Sequence, residues 1–153
     1  MRLSKNFTLT EFTRSQMAIR NGIDNTPSGV EIQNMVKLCE NVLQPVRDHF
    51  GPVAISSGFR SVTLNSLIGG SPNSDHTRGM AADFEVPGVS NMEVAEWIAK
   101  NLKFAQLILE FYQEGIDDSG WLHVSYNENK IVNEILRAVR GPNGRTIYLK
   151  GLR

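Results

Sequence analysis

Cysteine is almost absent from this chain: Cys39 stands alone among 153 residues. A single thiol excludes an internal disulfide and any zinc site built on several thiolates. Cys39 falls in a helical pattern beside Leu38 and Val42, where a small buried residue is expected. Net charge is also missing, since sixteen Lys and Arg balance sixteen Asp and Glu. No global field therefore points to nucleic acid, and no nucleic-acid partner is expected. Long apolar runs are lacking too. Nothing approaches the roughly 20 residues that span a bilayer, so no membrane insertion is expected. The opening segment MRLSKNFTLTEF has no signal-peptide character, which suggests synthesis in the cytoplasm without an export signal.

What remains has the size and hydrophobic content of one globular domain covering residues 1–153. The charge is unevenly spread. Residues 127–153 carry Lys130, Arg137, Arg140, Arg145, Lys150 and Arg153 against only Glu128 and Glu134, which marks a basic C-terminal extension. No repeat or linker divides the chain, and a monomer is expected.

FTLTEF (7–12) offers Thr8 or Thr10 as the cap of a short helix. Apolar residues recur at helical spacing from Ser28 to about His49, and Pro45 should interrupt the last turns. His49, at that C-terminal end, receives no functional role. PVAIS (52–56) and AADFEV (81–86) read as strands, and SNMEVAEWIAKNL (90–102) as a capped helix. FAQLILEF (104–111) and WLHVSY (121–126) read as strands joined by a hairpin-like connection, and GPNGRTIYL (141–149) as a turn and short strand. Helices and strands mix without regular βαβ alternation, so the class is α+β.

The stretch SDHTRGMAADF (74–84) sets an imidazole seven residues ahead of a carboxylate, with small residues between them. Either this is a metal site or it is a polar turn leading into a strand. WLHVS adds a second imidazole, because period-two alternation puts Trp121, His123 and Ser125 on one face and Leu122 and Val124 on the other. Two imidazoles and one carboxylate would leave a tetrahedral zinc one open position for water. Spacing alone leaves both readings open.

SGFRS, SDHTRGMAADF, LILEF and WLHVS, in that order, resemble the zinc D-Ala-D-Ala carboxypeptidase and phage endolysin peptidase family. The likeness runs from FTLTEF through Tyr126 and is strongest toward the phage-associated branch. It implies the hedgehog/D,D-peptidase fold, a small antiparallel sheet flanked by helices. It implies zinc held by His76, Asp83 and His123, with Gly79, Ala81 and Ala82 as small residues beside the metal. Arg60 matches the arginine that contacts the substrate; a plain loop ion pair with Asp75 or Glu85 is the alternative. Ser74 matches the serine before the first histidine, and Trp121 and Ser125 flank the last one, as groups that support the ligands or touch substrate. Asn65, Gly69 and Gly70 are expected to shape the loop.

The resemblance fails at one position. Many relatives carry an acid three residues before the last histidine, and here that residue is Gly120. Glu110 is the favoured replacement as general base, on the condition that it lies opposite His123 in an antiparallel pair. Asp117 and Asp118, in the connecting loop, are the alternatives. The implied activity is hydrolysis of a peptidoglycan stem peptide, of endolysin or carboxypeptidase type, at the cell wall after release or from a virion. A non-catalytic wall-binding or phage-tail module keeping the same fold is the competing reading.

Overall fold

The computed structural model describes residues Met1–Arg153. The N-terminal half runs β1 (Arg2–Ser4), β2 (Phe7–Thr8), α1 (Leu9–Thr13), α2 (Gln16–Arg20), α3 (Gly29–Leu38), a π-helical turn (Cys39–Leu43) and α4 (Gln44–Phe50). It continues through β3 (Ala54–Ser57), α5 (Val62–Leu67) and a 3-10 turn (Asp75–Arg78). Then follow β4 (Ala81–Glu85), α6 (Asn91–Asn101), β5 (Gln106–Glu110), β6 (Trp121–Ser125), β7 (Glu134–Arg140) and β8 (Thr146–Lys150).

Local chemistry explains the helix starts. Thr8 opens α1 through a capping box in which Glu11 reaches back to the Thr8 N–H, and Ser28 and Glu31 do the same for α3. The interruption expected at Pro45 takes the form of the π-helical turn just before α4, with Pro45 seated in the first turn of α4. Proline has no N–H to offer the preceding turn, and the wider π turn absorbs that missing bond. Met35, Leu38, Cys39, Val42, Leu43 and Val46 are all fully buried along this broken helix, so the apolar stripe survives the interruption.

Six strands form one sheet in the order β3-β4-β6-β5-β7-β8. The α+β class holds, but the sheet is larger than the small one expected. It is also not wholly antiparallel, because β7 lies parallel to β5. Residues 134–150 of the basic C-terminal stretch supply the last two strands.

The sheet has two unlike faces. Phe84, Leu122 and Leu109 face the helices together with Ala82, Val124 and Leu107. Phe12, Met35, Leu38, Val94 and Ile98 close that core from the helical side. On the opposite face the paired residues are Asp83, His123 and Ile108 in one row and Trp121 with Glu110 in the next. One face thus supplies the hydrophobic effect that holds the layers together, which leaves the other free for chemistry. No helix is long and apolar enough to cross a membrane.

Candidate metal centre

His76 arrives from the 3-10 turn, which Ser74 caps by accepting the His76 N–H at 3.2 Å. Gly79 ends that turn in left-handed conformation (φ 73°). A Cβ there would lie 2.4 Å from the Glu31 carbonyl, so this glycine lets the turn pack against α3 rather than against the metal position. Ala81 and Ala82 are buried, and only Ala81 shares the face of Asp83.

Asp83 and His123 are direct cross-strand partners on β4 and β6, which sets their side chains side by side. Asp83 Oδ1 lies 2.9 Å from His123 Nδ1 and 3.4 Å from His76 Nε2. The three donor atoms all fall within 4.8 Å of one another. Tetrahedral zinc with bonds of about 2.0–2.1 Å needs donors roughly 3.3 Å apart, close to these separations. The tautomer of His76 also suits a ligand. Its Nδ1 lies 2.7 Å from the Gly58 carbonyl, which can only accept, so the proton resides there and the Nε2 lone pair faces inward. Burial would raise the Asp83 pKa, but hydrogen bonds and charges from His123 and His76 outweigh it and hold the carboxyl well below the usual range. Asp83 is therefore an anion whenever a cation arrives. Two imidazoles and one carboxylate are a donor set that suits zinc and keeps a position open.

Arg60 follows β3 and reaches toward the same point. It lies 3.5 Å from Asp83 and donates to Ser57 Oγ at 3.1 Å and Asn65 Oδ1 at 3.2 Å. The alternative loop pairings do not form, since Asp75 pairs with Arg78. Asn65 is buried and also donates to the Ser71 carbonyl at 2.8 Å, so it ties Arg60 to the loop that precedes His76. Gly70 closes the same loop against Asn65, where a Cβ would meet the side-chain oxygen at 2.1 Å.

Glu110 is paired with Trp121, and Ile108 takes the place opposite His123. The expected register is therefore wrong by two residues. A slip of two preserves the face, so the Glu110 carboxylate still emerges on the side of the ligands. Burial first, and the Asp83 charge second, raise its pKa, while His123, Trp121 and Arg60 act in the opposite sense. Asp117 and Asp118 are exposed in the connection between β5 and β6 and do not line the cleft.

Gly120 has a geometric reason. Its φ is 65°, and a Cβ would stand 1.9 Å from the Glu110 carbonyl oxygen. No acid fits at that position in this hairpin.

Arg60, Ser74, His76, Asp83, Glu110 and His123 line one cleft of about 510 Å³. Trp121 packs against Phe111 with ring centroids 5.5 Å apart, and Ser125 is buried between Ala81 and Gln106. Sequence reading missed Asn65 as the residue that holds Arg60, the Gly58 carbonyl on His76, and Tyr148, which β8 brings to the cleft rim. Asn65 lies in α5 and its burial arises only in the fold, so the sequence carried no signal for its hold on Arg60.

The zinc D-Ala-D-Ala carboxypeptidase of Streptomyces albus G is 38% identical over 68 residues, which are 43% of this chain and 26% of that protein. The chain thus matches about a quarter of the length of that relative. The family model described as Peptidase M15 matches residues 5–125, a span holding every residue of the ligand set, Arg60 and Glu110. This chain belongs to the M15 peptidase family.

Proposed function

We propose that this protein is a zinc-dependent peptidase that hydrolyses peptide bonds in the stem peptides of bacterial peptidoglycan. The observation that supports the reading is the convergence of His76, Asp83 and His123 with Glu110 and Arg60 in one cleft. His76 Nε2, an Asp83 carboxylate oxygen and His123 Nδ1 would hold the ion. When bound, zinc supplies Lewis acidity toward the scissile carbonyl and lowers the pKa of water.

This chain's own groups do the rest. Glu110, as carboxylate, accepts the proton of the attacking water and returns it to the leaving amine. A raised pKa brings its basicity nearer to that task. Arg60 is held by Ser57, Asn65 and Asp83, so its guanidinium is fixed before substrate arrives. It can then bind a substrate carboxylate or the oxygen that gains charge in the transition state. Ser74 fixes the turn that presents His76, and Gly58 fixes the ring.

The type of enzyme, endolysin or carboxypeptidase, and its place of action, at the wall after release or from a virion, belong to the same proposal. So does a single 1–153 domain acting as a monomer. The test is mass spectrometry of purified peptidoglycan incubated with zinc-loaded protein, beside a chelated control. Fragments that vanish with chelator support the reading, and their masses name the bond. Intact walls of several chemotypes, with zinc verified in the protein, would leave the non-catalytic wall-binding module as the better account.

A further inference from the structure

A second cavity, of about 410 Å³, adjoins the metal cleft and shares Arg60 with it. Its floor is the segment Ser56–Arg60, and its far wall carries Arg14 from the end of α1. The two cavities differ in charge. The metal cleft is lined by Asp75, Asp83, Glu110 and Glu134, whereas the second cavity is lined by two arginines and no acid. Arg14 is exposed and makes no ion pair within the protein.

The backbone next to Arg14 is fixed from several sides. Phe59 N–H donates to the Phe12 carbonyl at 2.7 Å, and a Cβ on Gly58 would stand 2.7 Å from Phe12, so α1 is pressed onto the floor segment. Asn25 closes the junction by donating to the Thr13 and Phe59 carbonyls and accepting the Ser61 N–H at 2.7 Å. The same floor holds His76 through the Gly58 carbonyl. A guanidinium two residues beyond Phe12 is therefore carried on the scaffold that carries a metal ligand, with its charge unspent.

From this geometry we infer that the second cavity is a substrate subsite in which Arg14 binds a carboxylate remote from the scissile bond. The inference rests on the peptidase reading above and adds the substrate chemistry. An extended peptide cut at the metal runs past Arg60 along the floor segment and meets Arg14 beyond it. Exposed Ile19 and Ile68 on the rim give apolar contact to small aliphatic side chains. A stem peptide whose glutamyl residue is linked through its γ-carboxyl leaves an α-carboxylate free, and this is the group the cavity selects over its amide.

The probes are the pentapeptide L-Ala-γ-D-Glu-L-Lys-D-Ala-D-Ala and the same peptide with the glutamyl α-carboxylate amidated. Isothermal titration into the metal-free protein reads binding without turnover. The free acid is expected to bind roughly tenfold tighter than the amide, the contribution of one charge-assisted hydrogen bond. Arg14→Ala brings the two affinities together, while Arg20→Ala, an exposed arginine outside the cavity, keeps the ratio. Circular dichroism melts and zinc content show whether the Arg14 variant is folded. Equal affinity of the native protein for both peptides, binding of neither, or a ratio unchanged in Arg14→Ala each overturns the inference. The peptidase reading is tested separately by the peptidoglycan digestion above, so its failure and the failure of the binding ratio are distinguishable.

Discussion

Glu110 illustrates how a side chain proposed for catalysis works against the stability of its host. Burial and the neighbouring Asp83 charge push its pKa above the ordinary value of 4.5. A carboxyl that ionises at higher pH in the folded chain than in the unfolded one binds its proton more tightly when folded. Its ionisation therefore costs stability. The cost is absent below the unfolded value and complete once pH exceeds the folded value. Glu110→Gln removes it, so the metal-free variant should melt above the native protein at pH 7 and level with it near pH 4. On the proposed mechanism the same variant loses about 10²–10⁴-fold in kcat and retains zinc. Thermal melts at the two pH values, with zinc analysis and kinetics, check all three statements. A variant that melts lower at pH 7 would make Glu110 a structural carboxylate.

Gly120 stands where the family resemblance implies an acid, and its backbone explains why none is there. A positive φ and a Cβ 1.9 Å from the Glu110 carbonyl leave room for hydrogen only. Gly120→Ala is expected to cost more than about 2 kcal/mol, read as a fall in Tm of roughly 4–8 °C. A carboxylate brought in by Gly120→Glu should not restore turnover to Glu110→Gln, because the β5–β6 connection must open to admit it. Recovery of activity in that double variant would show that the hairpin tolerates the relatives' arrangement after all.

Elements differ in how openly the sequence declares them. The helix starts at Ser28 and Ser90 are legible because capping chemistry is local, and the capping box of Thr8 and Glu11 is of the same kind. Thr8→Ala should lower stability by about 1 kcal/mol, a shift of some 2–4 °C in Tm, by freeing the Glu11 N–H. A melt within half a degree of the native protein would mean the β1–β2 hairpin alone fixes α1. The candidate set His76, Asp83 and His123 was legible through the family resemblance of its motifs, since spacing alone left a polar turn as open as a metal site. Register was not. The ten-residue connection between β5 and β6 leaves the pairing free to slide by two without exposing any core residue. Strand β7 was missed because EILRAVR mixes apolar and charged residues on both faces, and its partner β5 is parallel and distant in sequence. Its one local signal is the antiparallel pairing with β8 across the short turn at 141–145.

Across the whole molecule, the three candidate ligands come from segments far apart in sequence that the sheet and its 3-10 turn bring to one point. His76 stands on a turn, Asp83 on β4 and His123 on β6, and Gly58, before Arg60, braces the first of them. A cation bound to all three exists only in the folded state, because an unfolded chain cannot hold ligands separated by up to 47 positions (76 to 123) in one shell. Its binding free energy therefore adds to folding stability as RT ln(1 + [L]/Kd). With free zinc at about a thousandfold its Kd, the gain is about 4 kcal/mol. For a chain of this size that corresponds to roughly 8–16 °C in Tm. Chelation should remove the increment and readdition of zinc restore it. His123→Ala should melt at one temperature in either condition, since two ligands grip the ion far more weakly than three. The comparison of the two proteins matters more than either melt alone, because it separates binding at this centre from zinc scavenged by exposed carboxylates. A native protein whose Tm ignores zinc would place the ion elsewhere or nowhere, and the convergence of His76, Asp83 and His123 would then reflect hydrogen bonding between the strands.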